Sequence, residues 1–396
     1  MTLAHQRKRH ILSVFLKKMK FSPVVSIQGP RQCGKSYFAR ELLPHSIKEA
    51  KYFSLDKKEL RTFAESKPHS FLMQTEERPL VIDEAQKAPD LFDEIKSLVD
   101  EKRKPGQYVL LGSTEFSLET KIKESLTGRL SRTRLFPFNL SESLKLPFIE
   151  QKNFPFPKDK PRASRTELLR YLDRGGFPGI FNIHSDEERL AALSDWISLT
   201  VERDIHQFKN FKLDSEVCFL ILEAISTVEE ANGPLISKYT KQPLKTVNRY
   251  LKVLKNLFVI FEIAPYKEST GKSIYFLTDT GLLDFFKASF DKKLLTWFYL
   301  EIYSQLSYTG VSIRTLNYFR TSKGKFIDLV FELDNQKILL IKLLGKEGFD
   351  KRDFLIFKSI ENKIEDKSKV QKLVLSGTSQ KLNFEGCFIY PWESLV

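Results

Sequence analysis

One run of the sequence has residue types and spacing that prescribe a chemistry. Gly29-Pro30-Arg31-Gln32-Cys33-Gly34-Lys35-Ser36 places glycine, four residues and Gly-Lys-Ser between an apolar stretch ending at Ile27 and a helical pattern opening at Lys35. Two glycines let backbone N–H groups wrap phosphate oxygens, and the N-terminus of the next helix adds the positive end of its dipole. Lys35 would reach the β- and γ-phosphates of ATP, and the Ser36 hydroxyl would ligate Mg²⁺. The expected nucleotide-binding segment is Gly29, Pro30, Arg31, Gln32, Cys33, Gly34, Lys35, Ser36 and Tyr37.

Arg78-Pro79-Leu80-Val81-Ile82-Asp83-Glu84 supplies the partner, two carboxylates at the carboxyl end of an apolar strand, where ligands of open α/β sheets bind. Asp83 would hold Mg²⁺ through water, and Glu84 would position or deprotonate the attacking water. The strand YVLLG (108–112) ends in Ser113 and Thr114, either of which can sense the γ-phosphate or the water. Arg129, Arg132 and Arg134 follow. An arginine lent to a neighbour's phosphates stabilises transition-state charge, though a basic surface turn explains Arg132 and Arg134 equally well.

Elements must hold these groups together. Short apolar runs at 24–27, 52–55, 79–83, 108–112 and 135–140 alternate with amphipathic stretches, which predicts a parallel α/β sheet with helices on both faces. The proline-rich 146–164 reads as a linker, and 165–228 is helical in period with no strand. Residues 229–285 read as helix-turn-helix and β-ribbon, a winged-helix pattern, and 286–396 return to α/β order. Residues 1–20 form a basic N-terminal helix ahead of the ATPase unit, 21–145.

The chain has 396 residues, with 64 Lys+Arg against 50 Asp+Glu for a net charge of +14. At 41% hydrophobic and 29% charged it lies in the globular range, which excludes wholesale disorder. Three scattered cysteines exclude a disulfide framework and a four-ligand zinc site. No apolar run approaches the ~18 residues of a membrane span, and Ile11–Leu16 is too short for a signal peptide. A soluble cytoplasmic protein is expected, with no membrane partner.

The blocks GPRQCGKS, LVIDEAQKAP, LLGSTEF, SLTGRL, YLDRGGFPGIF (171–181), TVERDI (200–205), KTVNRYLKVL (245–254) and SIYFLTDTGLL (273–283) together resemble a family of bacterial and archaeal AAA-type ATPases. Its members join an N-terminal P-loop ATPase to a C-terminal domain of unknown function, and the resemblance runs through nearly the whole chain. It implies Ser113 as the sensor and Arg129 as the arginine acting in trans; homo-oligomerisation follows only if Arg129 acts that way. It also implies a restriction-endonuclease-like fold for the final region.

Among the blocks, GGFP reads as a structural corner between helices, and Arg203-Asp204 as either a contact to the ATPase site or a local ion pair. From Gly233 to Phe261 there are six Lys/Arg and no acid. Val247, Leu251, Leu254 and Leu257 share one helical face, whereas Lys245, Asn248, Arg249, Lys252 and Lys255 share the other. That second face suits phosphates in a DNA groove, with a protein contact as the alternative. The N-terminal arm is a further candidate for a polyanion, and the core arginines are expected to face ATP.

KFIDLVFELDNQKILLIKLLG resembles the core hairpin of restriction-type nucleases, with Asp328 as first acid and Lys342 as lysine. Leu340 stands where that chemistry wants a second acid, so a nuclease-inactive domain is expected. Glu301, on the preceding helix, is the one stand-in. The leading expectation is thus a Mg²⁺-dependent ATPase with Glu84, Lys35, Ser113 and Arg129 as its catalytic set. It would switch the attached domains and an unidentified protein partner. The alternatives are a nucleic-acid-binding regulator with ATP as a slow timer, an ATP-gated nuclease, and an interaction scaffold with a silent P-loop.

Overall fold

A computed structural model describes residues 7–116, 125–148, 157–208, 213–267, 269–310, 316–332, 337–361 and 367–396. Its first layer is a five-stranded parallel sheet of β1 (Val24–Gln28), β2 (Lys51–Ser54), β3 (Leu80–Asp83), β4 (Tyr108–Gly112) and β5 (Leu130–Arg134). The spatial order is β2-β3-β4-β1-β5. Every residue of β1, β3 and β4 is buried, because strands covered on both faces need apolar side chains at each position.

Alternation then sorts the side chains. Val25, Ile27, Val81, Val109 and Leu111 face one core, with the helices Ile11–Met19 and Phe290–Thr309. Val24, Leu80, Ile82, Tyr108 and Leu110 face the other, against Leu91, Phe92, Ile95 and Val99 of the helix Asp90–Glu101. Since β4 separates β1 from β3 and all three run in one direction, their C-terminal loops meet at one edge. There Gly29 N donates to Gly112 O at 3.4 Å.

The fifth strand differs from the expected one. LFPFNL (135–140) forms no strand; the strand is the preceding LSRTR, an edge whose residues are mostly half-buried. Leu135–Leu140 is apolar because it is a connector covered by later segments: Phe138 N donates to Gly176 O, and Leu140 N to Glu301. A buried connector mimics a buried strand in hydropathy.

Residues 165–228 are helical where described, with helices Arg165–Arg174, Asp186–Leu199 and Ser215–Thr227 and a π-helical turn Thr200–Asp204. The Gly175-Gly176 corner joins them to the sheet. Gly175 has φ 72°, and a Cβ there would lie 1.9 Å from Asp279 Oδ1. Asp279 accepts from Gly176 N at 2.7 Å and Gly281 N at 2.8 Å, so GGFP and TDTGLL form one joint. Burial pushes the Asp279 carboxyl up to about 7.

Helices Gly233–Thr240 and Leu244–Asn256 follow, then an antiparallel hairpin of β6 (Ile260–Pro265) and β7 (Ile274–Leu277). The hairpin is no free ribbon. β6 pairs in parallel with β8 (Asn317–Arg320) and so completes an eight-stranded sheet with β9 (Phe326–Glu332), β10 (Ile338–Leu343), β11 (Val370–Ser376), β12 (Leu382–Phe384) and β13 (Cys387–Pro391). The order is β12-β13-β11-β10-β9-β8-β6-β7. β8, β12 and β13 escape sequence reading because NYFR, LNF and CFIYP are short and lack a clean period.

The expected linker 146–164 is docked where it is described. Lys158 N donates to Ser394 O and Arg162 N to Val396 O; residues 149–156 of it lie outside the described residues. No described helix is long and apolar enough to cross a membrane.

Candidate functional site

The loop after β1 turns at Gly34, whose φ of 97° is left-handed and favours glycine. Gly29 is needed for another reason: a Cβ there would lie 2.1 Å from Leu135 O. Lys35 opens a short helix, Lys35–Tyr37, that continues as a π-helix, Phe38–Leu42. The Lys35 side chain is buried and curls back over the loop, its Nζ donating to Gly29 O at 2.9 Å and Pro30 O at 2.8 Å. Those carbonyls hold the cation where anionic oxygens would compete for it.

Ser36 Oγ donates to Asp83 Oδ2 at 2.6 Å, which brings the loop after β1 and the end of β3 together as their spacing predicts. Tyr52 OH, from β2, donates to the same oxygen at 2.5 Å, and Glu84 N to Oδ1 at 3.0 Å. Burial first, then the Asp83 hydrogen bond, pushes the Tyr52 phenol up, so it stays a donor. Tyr52 was not visible as a site residue; its only signal is its place on the strand beside β3.

Glu84 has φ 54° and ψ 44°, a left-handed conformation costly for a residue with a Cβ. Its Oε2 accepts from Ser113 Oγ at 3.1 Å and Gln86 Nε2 at 2.5 Å, and Gln86 Nε2 also donates to Ser113 Oγ at 3.1 Å. Of the two hydroxyls at the end of β4, Ser113 is the one at the carboxylate. The Thr114 hydroxyl is buried with no hydrogen-bond partner among the described residues, while Thr114 O accepts from Gln28 Nε2.

The arginines sort differently from expectation. Arg129 lies just before β5, one residue ahead of the Val24–Leu130 pair and at least one full strand, roughly 13 Å, from the loop after β1. It pairs with Asp100 through Nε at 2.7 Å and Nη2 at 2.6 Å and does not face its own chain's loop. Arg132 is exposed on the edge strand, and Arg134 stacks over Phe136, Phe258 and Tyr303 at 4.8–5.3 Å from the ring centres. The expectation that Arg134 faces ATP is therefore corrected: three aromatic faces attract the guanidinium inward.

In the N-terminal arm, Lys8, Lys17 and Lys20 are exposed, whereas the two arginines turn inward. Arg9 is buried, donating to Glu142 Oε1 at 3.1 Å, Cys33 O at 2.8 Å and Phe136 O at 2.5 Å. Burial alone would lower its pKa, but the field of Glu142 wins and the guanidinium stays charged. Arg7 donates to Ser143 O and Asn182 Oδ1. Arg9 therefore braces the loop, Arg7 ties the arm to Ser143 and Asn182, and neither presents a free charge to an outside polyanion. With Gly34, Tyr37, Phe138 and Pro178 they line a cavity of about 110 Å³ beside the loop. Small-molecule pockets run to ~300 Å³ and more, so this one has room for part of a ligand, such as a planar base.

A neighbouring unit also reaches the loop. Arg31 Nε donates to Asp204 Oδ2 at 2.8 Å, and Trp196 Nε1 to Arg31 O at 3.3 Å. Of the pair Arg203-Asp204, Asp204 therefore contacts the loop, and Arg203 is exposed.

Far from the loop, Lys245, Asn248 and Lys252 are exposed and Arg249 is half-buried, while Val247, Leu251 and Leu254 pack inward. Asp328 accepts from Lys342 Nζ at 3.0 Å and Leu343 N at 2.7 Å, and Leu340 is buried opposite Val330. Glu301 is no stand-in acid there. It is buried elsewhere, accepting from Leu140 N at 2.9 Å and Gln305 Nε2 at 2.8 Å. Glu229, Glu230 and Asp291 line the cavity of about 260 Å³ that Asp328 and Lys342 share.

Residues 21–144 match the family described as an AAA domain, and residues 165–291 match a domain of unknown function, DUF8612. Over residues 21–144 the match supports an AAA-type P-loop ATPase fold. The chain is 26% identical over 336 residues to the uncharacterised protein Rv2008c of Mycobacterium tuberculosis, covering 80% of this chain and 69% of that one. It is 26% identical over 266 residues to the uncharacterised protein MJ1544 of Methanocaldococcus jannaschii, covering 63% and 58%. Among solved structures it is similar to the Walker-type ATPase PABY2304 of Pyrococcus abyssi, with TM-score 0.43 and 15% identity over 70% of this chain and 93% of that one. AMPPCP-bound DnaA of Aquifex aeolicus is also similar, with TM-score 0.31 and 11% identity over 62% and 85%.

Proposed function

We propose that the protein is a Mg²⁺-dependent ATP hydrolase whose nucleotide state is passed to the domains that follow it. The observation that carries this is the 2.6 Å contact between Ser36 and Asp83, beside Lys35 and Glu84 at one edge of the sheet. The loop N–H groups and Lys35 would cradle the phosphates, with Lys35 exchanging its two carbonyls for phosphate oxygens. Ser36 and Asp83 are hard oxygen donors of the kind Mg²⁺ takes, and the bound ion would withdraw charge from the β- and γ-phosphate oxygens. Glu84 would orient the water, held by Ser113 and Gln86. The cavity between Tyr37, Phe138 and Pro178 supports the base, with apolar faces for stacking.

Arg129 would complete a neighbouring copy's site only by leaving Asp100. Nucleotide binding tests the reading. A fluorescent ATP analogue should bind the wild type, and Lys35→Ala should weaken it at least tenfold; equal binding by both would remove the loop from the account.

A second reading, nucleic-acid binding timed by ATP, is supported by the exposed face of Lys245, Asn248 and Lys252 on the helix Leu244–Asn256. The nuclease reading has less behind it. The Asp328 carboxylate is already engaged by Lys342 and Leu343 N, and β10 carries apolar Leu340 where that reading wants an acid.

A further inference from the structure

Arg31 sits inside the loop, between Gly29 and Gly34, yet its charged partner belongs to another domain. Asp204 ends the π-helical turn Thr200–Asp204, a type of turn often found at functional sites. Its side chain is 6% exposed. Burial pushes its carboxyl above the ordinary value, Arg31 and Arg203 pull against that, and the charge of Glu84 adds to the rise. This carboxylate is tied through Arg31 to the loop after β1.

The contact geometry is informative. Asp204 takes Arg31 through Nε, and the two Nη groups have no hydrogen-bond partner among the described residues. A guanidinium held by Nε against a fixed carboxylate leaves both Nη groups as a forked pair of donors, the arrangement that recognises phosphate bidentately. The Arg31 side chain is 26% exposed and so accessible. Trp196 Nε1 fixes the backbone of the same residue through Arg31 O, and Trp196 packs on Phe177 of the GGFP corner at 5.0 Å between ring centres. Both anchors thus come from residues 186–204, outside the domain that carries the loop.

We propose that Asp204 is a positioning residue that presents Arg31 to the terminal phosphate of a bound nucleoside triphosphate, making the second domain part of the nucleotide site. This rests on the reading of Gly29–Ser36 as a phosphate site. Arg31 keeps Nε on Asp204 and places Nη1 and Nη2 on the γ-phosphate. A triphosphate therefore engages the helix Asp186–Leu199 through this link, whereas a diphosphate does not.

The test uses the full-length chain and measures MgATP and MgADP affinity, kcat and KM. The variants are Asp204→Asn, Arg31→Ala, the double variant and, as control, Lys35→Ala. Asp204→Asn keeps shape and an acceptor but removes the charge. It should weaken MgATP about tenfold and MgADP less than twofold, raising KM more than it lowers kcat. Arg31→Ala should do the same, and the double variant should match Arg31→Ala without further loss. Hydrogen exchange over 186–204 should slow with MgATP in the wild type and stay unchanged in Asp204→Asn. A melting temperature preserved in Asp204→Asn separates positioning from folding. If Asp204→Asn does not fold, Arg31→Lys, which cannot fork, should reproduce the loss of ATP-over-ADP preference. Wild-type ATP affinity in Asp204→Asn and Arg31→Lys, with Lys35→Ala still defective, would overturn the proposal and leave the phosphate site standing. Full binding by Lys35→Ala would instead overturn the underlying reading.

Discussion

Ser113 Oγ donates to Glu84 Oε2 across 3.1 Å, so the hydroxyl ending β4 restrains the carboxylate ending β3. Gln86 closes the triangle by bonding to both. A water-positioning carboxylate needs such restraint, because a freely rotating Glu spends little time aimed at the γ-phosphate. A hydrogen bond to a charged group is worth about 1.5–3 kcal/mol, and ~1.4 kcal/mol is tenfold in rate. Ser113→Ala should therefore lower kcat roughly 10- to 100-fold with ATP affinity nearly unchanged. Thr114→Ala should have little effect on kcat, its hydroxyl having no partner among the described residues. Steady-state kinetics of both variants decides the matter; the reverse ranking would make Thr114 the sensor.

Arg9 and Glu142 form a buried ion pair that ties the N-terminal segment to the loop through Cys33 O. Removing one partner of a buried pair leaves the other charge uncompensated, at a cost of about 3–5 kcal/mol. Arg9→Ala should destabilise by that order in denaturant unfolding, whereas Lys8→Ala, at an exposed position, should change little. Equal midpoints for the two would show that the arm does not brace the domain.

Glu301 ties the helix Phe290–Thr309 to the connector after β5 by accepting from Leu140 N, and burial pushes its carboxyl up to about 7. An unfolded glutamate titrates near ~4.3, so the folded state holds the proton more tightly. This contribution to stability is complete below pH ~4 and is lost as pH rises through about 7. Glu301→Gln keeps an acceptor and cannot titrate, so it should be more stable than wild type at pH 8 and lose that advantage at pH 5. The difference, of the order of 3 kcal/mol at most, is read from melting curves at the two pH values. A pH-independent difference would mean Glu301 titrates normally.

The lysine-rich helix Leu244–Asn256 allows a test of the nucleic-acid reading. Reversing the charge of Lys245, Arg249 and Lys252 should weaken duplex DNA binding and flatten its dependence on salt, since each phosphate contact releases counterions. An unchanged slope in a salt titration would remove this face from any DNA contact.

The loop after β1 and the acids at the end of β3 were legible in the sequence because their pattern is local. Gly34 must adopt a left-handed angle, Lys35 and Ser36 must be adjacent, and Asp83 must end an apolar strand. The groups that were missed act across the chain. Tyr52 reaches Asp83 only because β2 and β3 pair, with Ser54 in register with Asp83. Arg9 reads as a surface cation until Glu142 is placed beside it, and Arg134 until three rings surround it. Asp204 was noticed but could not be assigned, since a sequence does not say which loop a helix end will touch. The fold follows the same rule: the buried parallel strands announce themselves, whereas LSRTR on the sheet edge is outshone by the apolar connector after it.

The loop after β1, with Glu84 and Ser113, is expected to turn over ATP. The direct measurement is phosphate release from MgATP by the wild type and by Glu84→Gln, with binding of a fluorescent ATP analogue followed in parallel. The wild type should release phosphate, and Glu84→Gln should bind as tightly while turning over roughly 10²- to 10⁴-fold more slowly. Undiminished phosphate release by Glu84→Gln, or none by a wild type that binds MgATP with and without DNA, would contradict the account.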